Sequence, residues 1–279
     1  LVAAIDLAFL PVLALTLALP LIKAKQLHNY PFPFMLLVLT AANVLVHLEA
    51  LGWTDASASL GLNLAAYVVV MMMTLMGGRV IPSFTDNKLR TRARRWNLIE
   101  RLVPVATLAA LLAALIAPDS LVTALLAALA AAVHFTRLAG WHTRKLWSVP
   151  LLWILHLGYG WIALGFALLA LSSAGLVAAA GSALHAFTVG GIGVLTLGMM
   201  ARVSLGHSGR PLEPAPVMTL AFVGVNLAAL IRVALPLFFP AIHAQGMTTA
   251  GLVWMAAFGL FATLYAPILL RPRIDGKPG

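Results

Sequence analysis

The segment LHAFTVGGIGVLTLGMMARVSLGHSGR, Leu184–Arg210, decides the fold class of this 279-residue chain. Its apolar part is about 20 residues long, which is the length of helix that crosses the ~30 Å hydrocarbon core of a bilayer. A simple membrane anchor needs no histidine, yet this segment has His185 near its start and His207 between glycines at its end. The segment therefore predicts a transmembrane helix whose histidines are candidates for chemistry.

Eight further apolar runs of similar length indicate a polytopic membrane protein. Of all residues, 62% are hydrophobic and 9% are charged, whereas soluble domains carry roughly a quarter charged residues. The runs are continuously apolar and lack the alternation of a membrane β-barrel. We predict an all-α bundle of nine spans that forms a single transmembrane domain over residues 1–279. The predicted spans are Val2–Ile22, Pro31–Leu51, Leu60–Ile81, Leu98–Ala117, Ser120–Leu138, Val149–Leu171, Ser182–Leu205, Pro216–Phe239 and Met247–Leu270.

The placement of charge predicts the orientation of the bundle. Seventeen of the 18 basic residues lie in or beside alternate connections, whereas the connections between them hold Asp55, Asp119 or no charge. By the positive-inside rule the basic side is cytoplasmic, which puts the C-terminus in the cytoplasm and Leu1 on the outer side. The same placement accounts for the net charge of +10 without a nucleic acid partner. We expect the basic connection Ser83–Asn97 to be a surface loop that touches anionic lipid, with a site for an anionic partner as the alternative.

The first span predicts that further helices precede it. It begins at Leu1 on the outer side without a basic flank, and Asp6 within it argues against a signal peptide. We therefore expect upstream helices to return the N-terminus to the cytoplasm. The segments TLMGGRVIPSFTDN (Thr74–Asn87) and TLGMMARVSLGHSG (Thr196–Gly209) resemble each other. Their likeness points either to a repeat of four-helix units or to chance convergence.

Four of the eight histidines lie within the predicted spans. An ionisable side chain at mid-bilayer costs at least ~2.5–3.5 kcal/mol, so its presence calls for a reason. His47 and His185 share an outer depth, and His134 and His156 share an inner depth. Each imidazole is open to three interpretations: a hydrogen bond to the backbone, ligation of a metal or haem, and a step in a proton path. The chain has no cysteine, so any metal site must use imidazole, thioether or carboxylate ligands.

Arg232 is the one basic residue that lies away from the basic side. It lies in the eighth span, ~12 Å of helix below the outer end. Its guanidinium could snorkel outward or pair with the carboxylate of Asp6, Glu49 or Asp119. A haem propionate is a further carboxylate that a planar guanidinium binds bidentately, provided that haem is present.

Several blocks of the sequence resemble the NnrS family of bacterial membrane proteins. The opening segment, GGRVIPSFTDN, PLLWILHLGYGWIALG and ALIRVALP occur in the family's order over nearly the whole chain. The resemblance implies a roughly twelve-helix protein of the bacterial inner membrane that contains haem and copper. It also implies a link to nitric oxide metabolism and to resistance against nitrosative stress. The family's N-terminal His-x-His-Glu element does not occur in this chain, in keeping with missing upstream helices.

The resemblance ranks the candidate ligands. We expect His185 to ligate haem or copper together with His47 or with a histidine from the missing part. His134 and His156 are the next pair of cofactor ligands. A metal-binding role for His207 rests on the resemblance alone, because its residue pattern is also that of a cation at a helix C-terminus.

The sequence leaves three functions open. The first is a haem- and copper-containing protein that binds or removes nitric oxide within the lipid bilayer. The second is a transporter of a small solute, and the third is a subunit that assembles metal centres without catalysis. A haem absorption band separates the first from the second, and turnover of nitric oxide separates the first from the third.

Overall fold

The computed structural model describes residues 2–177 and 180–276. Within these ranges it contains helices and turns but no strand, and nine helical spans are long and apolar enough to cross a membrane. The all-α prediction is therefore confirmed. The helices are α1 (Val2–Lys23), α2 (Pro31–Ala50), α3 (Ser57–Leu89), α4 (Asn97–Ile116), α5 (Leu121–Trp141), α6 (Pro150–Ser173), α7 (Ala180–His185), α8 (Val194–His207), α9 (Met218–Phe238) and α10 (His243–Leu269).

The chain divides into two compact units, Leu1–Met73 and Thr74–Gly279. The first unit contains α1, α2 and the first half of α3. Its α2–α3 turn is fixed by two hydrogen bonds: Ser57 Oγ donates to the Leu45 carbonyl at 2.6 Å, and the Ala58 amide donates to Glu49 Oε2 at 2.7 Å. The prediction of a single transmembrane domain stays a prediction.

Helix α6 is the centre of the second unit. Two thirds of its most apolar stretch is buried, more than in any other span of the described chain. It packs against α5 on one side and against α7 and α8 on the other. Its core side chains include Tyr159 and Phe166, both fully buried, and the Phe166 ring meets the Phe187 ring at 4.8 Å in an edge-to-face contact. Side chains near this helix are therefore held more rigidly than those at the rim of the bundle.

The seventh span is interrupted by a π-helical segment, Ala186–Gly193, between α7 and α8. The sequence predicts an uninterrupted helix here, and the π segment is a difference from that expectation. A β-carbon on Gly190 would lie 2.5 Å from the Trp161 ring, and one on Gly191 would lie 2.9 Å from Ile162. The glycines thus allow the widened turn to press against α6. Segments of this kind are rare and occur frequently at functional sites.

Helix α3 is longer than its apolar run. The run ends at Ile81, but the helix continues through Pro82 to Leu89, after which Arg90 adopts a left-handed conformation with φ 53°. The predicted loop Ser83–Asn97 is therefore wrong in its first half, because a helix can leave the apolar layer without losing its backbone hydrogen bonds. The true connection is residues 90–96. We call the end of the second unit that carries this connection the basic end and the other the opposite end.

Candidate functional site

His185 lies at the opposite end, at the junction between α7 and the π segment. Its side chain is half-buried, and its ring forms no hydrogen bond with the part of the chain that the structure describes. The nearby Thr188 hydroxyl donates instead to the Leu184 carbonyl at 2.8 Å. Among the described residues, neither ring nitrogen of His185 therefore has a hydrogen-bond partner, which leaves a nitrogen available as a ligand.

Two further cationic or basic side chains lie beside His185. Arg232 from α9 and His243 from the first turn of α10 are both close enough to act electrostatically on its imidazole. The structure thus brings together His185 and Arg232, which the sequence named separately. His243 was missed, although its position at the start of the last span places it at the same end of the bundle. We call His185, Arg232 and His243 the opposite-end cluster.

Arg232 carries a hydrogen-bond donor without an acceptor. Its Nε is buried and has no partner among the described residues. Two of the carboxylates predicted as its partners are engaged within the first unit: Asp6 accepts from Asn43 and His47, and Glu49 accepts from the Ala58 amide. A buried donor that lacks an acceptor costs about 1–3 kcal/mol. The Arg232 environment therefore suits an anionic group that the described chain does not itself supply.

His47 lies in the first unit, where a carboxylate orients it. Its Nε2 is 2.9 Å from Asp6 Oδ2, and the same oxygen accepts from Asn43 Nδ2 at 2.6 Å. An imidazole held by a carboxylate through one nitrogen presents the other nitrogen as a ligand, as in many metal sites. The pairing of His47 with Asp6 was not predicted from the sequence. The pairing of His47 with His185 joins residues of two different units and stays a prediction.

His134 is wholly enclosed between helices. Its Nε2 is 2.9 Å from Thr107 Oγ1, and this hydroxyl donates to the Val103 carbonyl at 2.7 Å, so the imidazole must donate through Nε2. Its ring stacks on Phe166 with centroids 5.1 Å apart, and its Nδ1 is buried without a partner among the described residues. A bound group would have to displace this packing to reach Nδ1.

His156 lies in α6, within the core of the second unit. Its Nδ1 is 3.0 Å from the Leu152 carbonyl of its own helix, and its buried Nε2 has no hydrogen-bond partner in the described part of the chain. The backbone thus orients the ring through Nδ1, and the Trp141 backbone also lies near the imidazole. The roles of His134 and His156 as cofactor ligands stay predictions.

Arg137 forms a buried ion pair that the sequence did not identify. Its guanidinium contacts Glu100 of α4 through Nε and Nη2, and its Nη1 donates to the Thr74 carbonyl and to the Tyr159 hydroxyl, each at 3.1 Å. Gly78 makes room for it, since any β-carbon there would collide with the guanidinium. The signal that could have found it is Glu100, an acid in the first turn of a membrane-spanning helix, where a buried carboxylate needs a cation as partner.

His207 lies at the basic end, far along the span from His185. The sequence placed it past the end of its helix, but it is the last residue of α8, followed by Ser208 and by Gly209 with φ 73°. The helix therefore extends two residues beyond the predicted end at Leu205, because it continues until the left-handed glycine ends it. The side chain is exposed, a favourable position for a cation at a helix C-terminus. Its role as a metal ligand stays a prediction.

Residues 2–177 and 180–276 contain no group of three or more histidines and acids that could hold a metal ion. A haem iron takes only one or two axial ligands from the protein, so the opposite-end cluster is the arrangement to consider for such a cofactor. Within the described ranges, the cluster offers an imidazole without a hydrogen-bond partner and a buried guanidinium Nε that lacks an acceptor.

Comparison with known proteins identifies the family. The family model described as NnrS protein matches residues 1–273, which is nearly the whole chain. No curated protein and no solved structure matches it.

Proposed function

Because the chain belongs to the NnrS family, we propose that it is a haem- and copper-containing membrane protein linked to nitric oxide metabolism and to nitrosative-stress resistance. The proposal assigns the haem to the opposite-end cluster, where His185 would hold its iron. The observation that supports this assignment is that α7 packs against α9, with Arg232 close enough to act on His185 electrostatically. Among the described residues, the His185 ring has no hydrogen-bond partner and the buried Arg232 Nε has no acceptor.

The chemistry of the two side chains is complementary to the two polar parts of a haem. An imidazole nitrogen is a common axial ligand of haem iron. A guanidinium pairs with a carboxylate such as a propionate through two parallel hydrogen bonds. The Nε of Arg232 fits this role, because a carboxylate there would satisfy a buried donor.

His243 completes the cluster on the side of α10. It is exposed at the start of its helix, and it acts electrostatically on His185. In the proposal it is an exposed polar group that a ligand could meet when it approaches the cofactor from the opposite end. Ferrous haem iron supplies the binding of diatomic molecules such as nitric oxide, and the polarity of the surrounding pocket decides whether the molecule is held or converted.

We assign copper to His47 in the first unit. Asp6 holds the Nε2 of its ring, which leaves Nδ1 as the ligand nitrogen, and outer-shell carboxylates of this kind raise ligand basicity. Cu(II) favours imidazole and oxygen ligands. The remaining copper ligands come from groups other than His47.

The proposal places the protein in the bacterial inner membrane with its C-terminus in the cytoplasm. The nine spans of the described chain support the membrane location, and the positive-inside rule supports the orientation. A reporter inserted beside Arg92 should be cytoplasmic and one beside Asp55 external. The opposite result at both positions would reverse the orientation and put the opposite-end cluster on the cytoplasmic side.

The function is tested on the intact protein purified in detergent. We expect an absorption spectrum with a Soret band, copper by metal analysis, and a shift of the Soret band when nitric oxide is added to the dithionite-reduced protein under anaerobic conditions. A purified, folded protein without haem would contradict the proposal and favour a transporter. Haem that does not respond to nitric oxide would contradict the nitric oxide role while retaining the cofactor.

A further inference from the structure

A cavity of about 470 Å³ lies between α6 and α9 in the second unit. Side chains of α6 from Trp153 to Leu164 line one wall, and side chains of α9 from Val223 to Leu230 line the other. Its volume is within the ~300–1,000 Å³ that small-molecule sites occupy. Val223 and Leu230 are 52% and 53% exposed, so the cavity is open along its α9 wall. Because both helices are apolar enough to span a membrane, a ligand of this cavity has to be lipid-soluble.

The polar group of the α9 wall is the amide of Asn226, near the middle of the helix. Its Oδ1 accepts from Trp161 Nε1 at 3.0 Å, and its Nδ2 donates to the Phe222 carbonyl at 2.8 Å. A primary amide has two N–H donors and two acceptor lone pairs, so one of each has no partner among the described residues. A polar group in an apolar environment is costly unless its hydrogen bonds are made. Asn226 therefore suits a ligand that accepts a hydrogen bond.

The two tryptophans of the α6 wall are held in place by packing. The Trp153 ring meets the buried Phe222 ring edge-to-face, with centroids 5.9 Å apart. The backbone of the π segment lies against Trp161, since a β-carbon on Gly190 would be 2.5 Å from its ring. The hydrogen bond to Asn226 fixes Trp161 further. The cavity is thus shaped before a ligand arrives, which lowers the entropic cost of binding.

We propose that this cavity binds the head group of a lipid-soluble quinone, with Asn226 donating to one of its carbonyl oxygens. A quinone has a flat ring with acceptor oxygens and an apolar tail that keeps it in the bilayer. The indole faces suit offset stacking on such a ring, and Leu157 and Leu227 give apolar surface to the tail. The spare amide donor favours this ligand over a lipid acyl chain, whose methylene groups accept no hydrogen bond. Quinones carry electrons within membranes; a role as redox partner of a haem rests on the proposed function, whereas binding itself does not.

Binding is measured by native mass spectrometry of the intact protein in detergent. The probe is decylubiquinone, and the bound fraction is followed through a titration. The comparison compound is 1-phenyldecane, which has a flat ring and the same decyl tail but no carbonyl oxygen. We expect the wild-type protein to bind decylubiquinone and to bind phenyldecane about tenfold more weakly, because phenyldecane leaves the Asn226 donor without an acceptor.

The first pair of variants tests the amide. Asn226→Leu keeps nearly the same side-chain volume but removes the donor. Asn63→Leu is the control, since Asn63 is also half-buried in a membrane span and does not line the cavity. We expect Asn226→Leu to weaken quinone binding by about three- to tenfold, the effect of one lost hydrogen bond between neutral groups, and Asn63→Leu to leave it unchanged.

The second pair tests the cavity without changing Asn226. Leu227→Trp fills the cavity from α9, whereas Leu220→Trp adds the same bulk at an exposed position of the same helix that does not line the cavity. We expect Leu227→Trp to abolish binding and Leu220→Trp to retain it. Thermal unfolding establishes that each variant is folded, and this pair decides the question if Asn226→Leu is not.

Three results would overturn the proposal. Equal binding of decylubiquinone and phenyldecane would show an acyl-chain groove without polar recognition. Equal affinities of Asn226→Leu and Asn63→Leu, or binding retained in Leu227→Trp, would show that the quinone lies elsewhere. A folded wild-type protein that binds no decylubiquinone would refute the site outright. None of these measurements needs haem, so their failure is distinguishable from failure of the proposed function, which the Soret band tests separately.

Discussion

The buried ion pair between Arg137 and Glu100 makes the substitution Glu100→Gln strongly destabilising. The Arg137 side chain is 7% exposed, and Glu100 receives hydrogen bonds from both its Nε and its Nη2. The substitution keeps one oxygen acceptor but removes the charge. The guanidinium then lies in the protein core without a counter-ion, held only by the Thr74 carbonyl and the Tyr159 hydroxyl.

The expected loss of stability depends on how deeply the pair is buried. Removing one partner of a buried pair costs about 3–5 kcal/mol, mostly because the other charge is left uncompensated. The Glu100 side chain is 26% exposed, so water reaches one side of the pair and the lower end of the range applies. We expect Glu100→Gln to lower the free energy of unfolding by about 3 kcal/mol.

A surface ion pair in the same unit provides the matched control. Lys88 Nζ and Glu213 Oε1 are 3.4 Å apart, with side chains that are 40% and 76% exposed. Exposed pairs contribute about 0–1 kcal/mol, so Glu213→Gln should be nearly silent. Both variants are unfolded by denaturant in mixed micelles and followed by tryptophan fluorescence.

A double variant separates charge from packing. Replacing Arg137 by Met together with Glu100→Gln removes both charges, and it should recover part of the stability that Glu100→Gln alone loses. If Glu100→Gln and Glu213→Gln prove equally mild, the ion pair is solvated and the reasoning from burial is refuted.

Three further substitutions test the π segment, the copper site and the haem site. Gly190→Ala would place a β-carbon 2.5 Å from a tryptophan ring of α6, and we expect it to destabilise the protein by about 1–3 kcal/mol. The control is Gly251→Ala, where no atom lies within 4 Å of the added β-carbon. Equal stabilities of the two variants would contradict the close approach at Gly190. Asp6→Asn removes the carboxylate that orients His47 and should weaken copper binding by about 10–100-fold in metal titrations; an unchanged affinity would remove His47 from the copper site. Arg232→Leu should lower the haem content of the purified protein, and full haem occupancy would show that its guanidinium binds no propionate.

The fold could be predicted from the sequence because the length of each apolar run indicates a membrane-spanning helix. Each apolar run is long enough to span a bilayer, and only a helix satisfies its backbone there. The same signal does not report where a helix ends in water, which is why α3 continues beyond Ile81 to Leu89. Hydropathy also does not reveal the π segment. A wider helical turn differs in its backbone hydrogen bonds, and the residues that form it are as apolar as those of the rest of the span.

The site was predicted less completely, for a different reason. Burial of an ionisable residue in a span is visible in the sequence, and it identified His185, Arg232, His134 and His156. The identity of each partner depends on helix packing, which the sequence does not encode by spacing. His243 was therefore not predicted to lie near His185, and Asp6, one of three carboxylates considered for Arg232, lies against His47.

The haem content of His185→Ala tests the assignment of the haem most directly. The intact variant is purified beside the wild type and beside His142→Ala, which replaces an exposed histidine outside the opposite-end cluster. Haem is quantified per protein, and thermal unfolding establishes that each protein is folded. We predict that His185→Ala loses haem or shifts its Soret band while His142→Ala retains both. A folded His185→Ala protein with full haem occupancy and an unchanged spectrum would contradict the assignment of the haem to the opposite-end cluster.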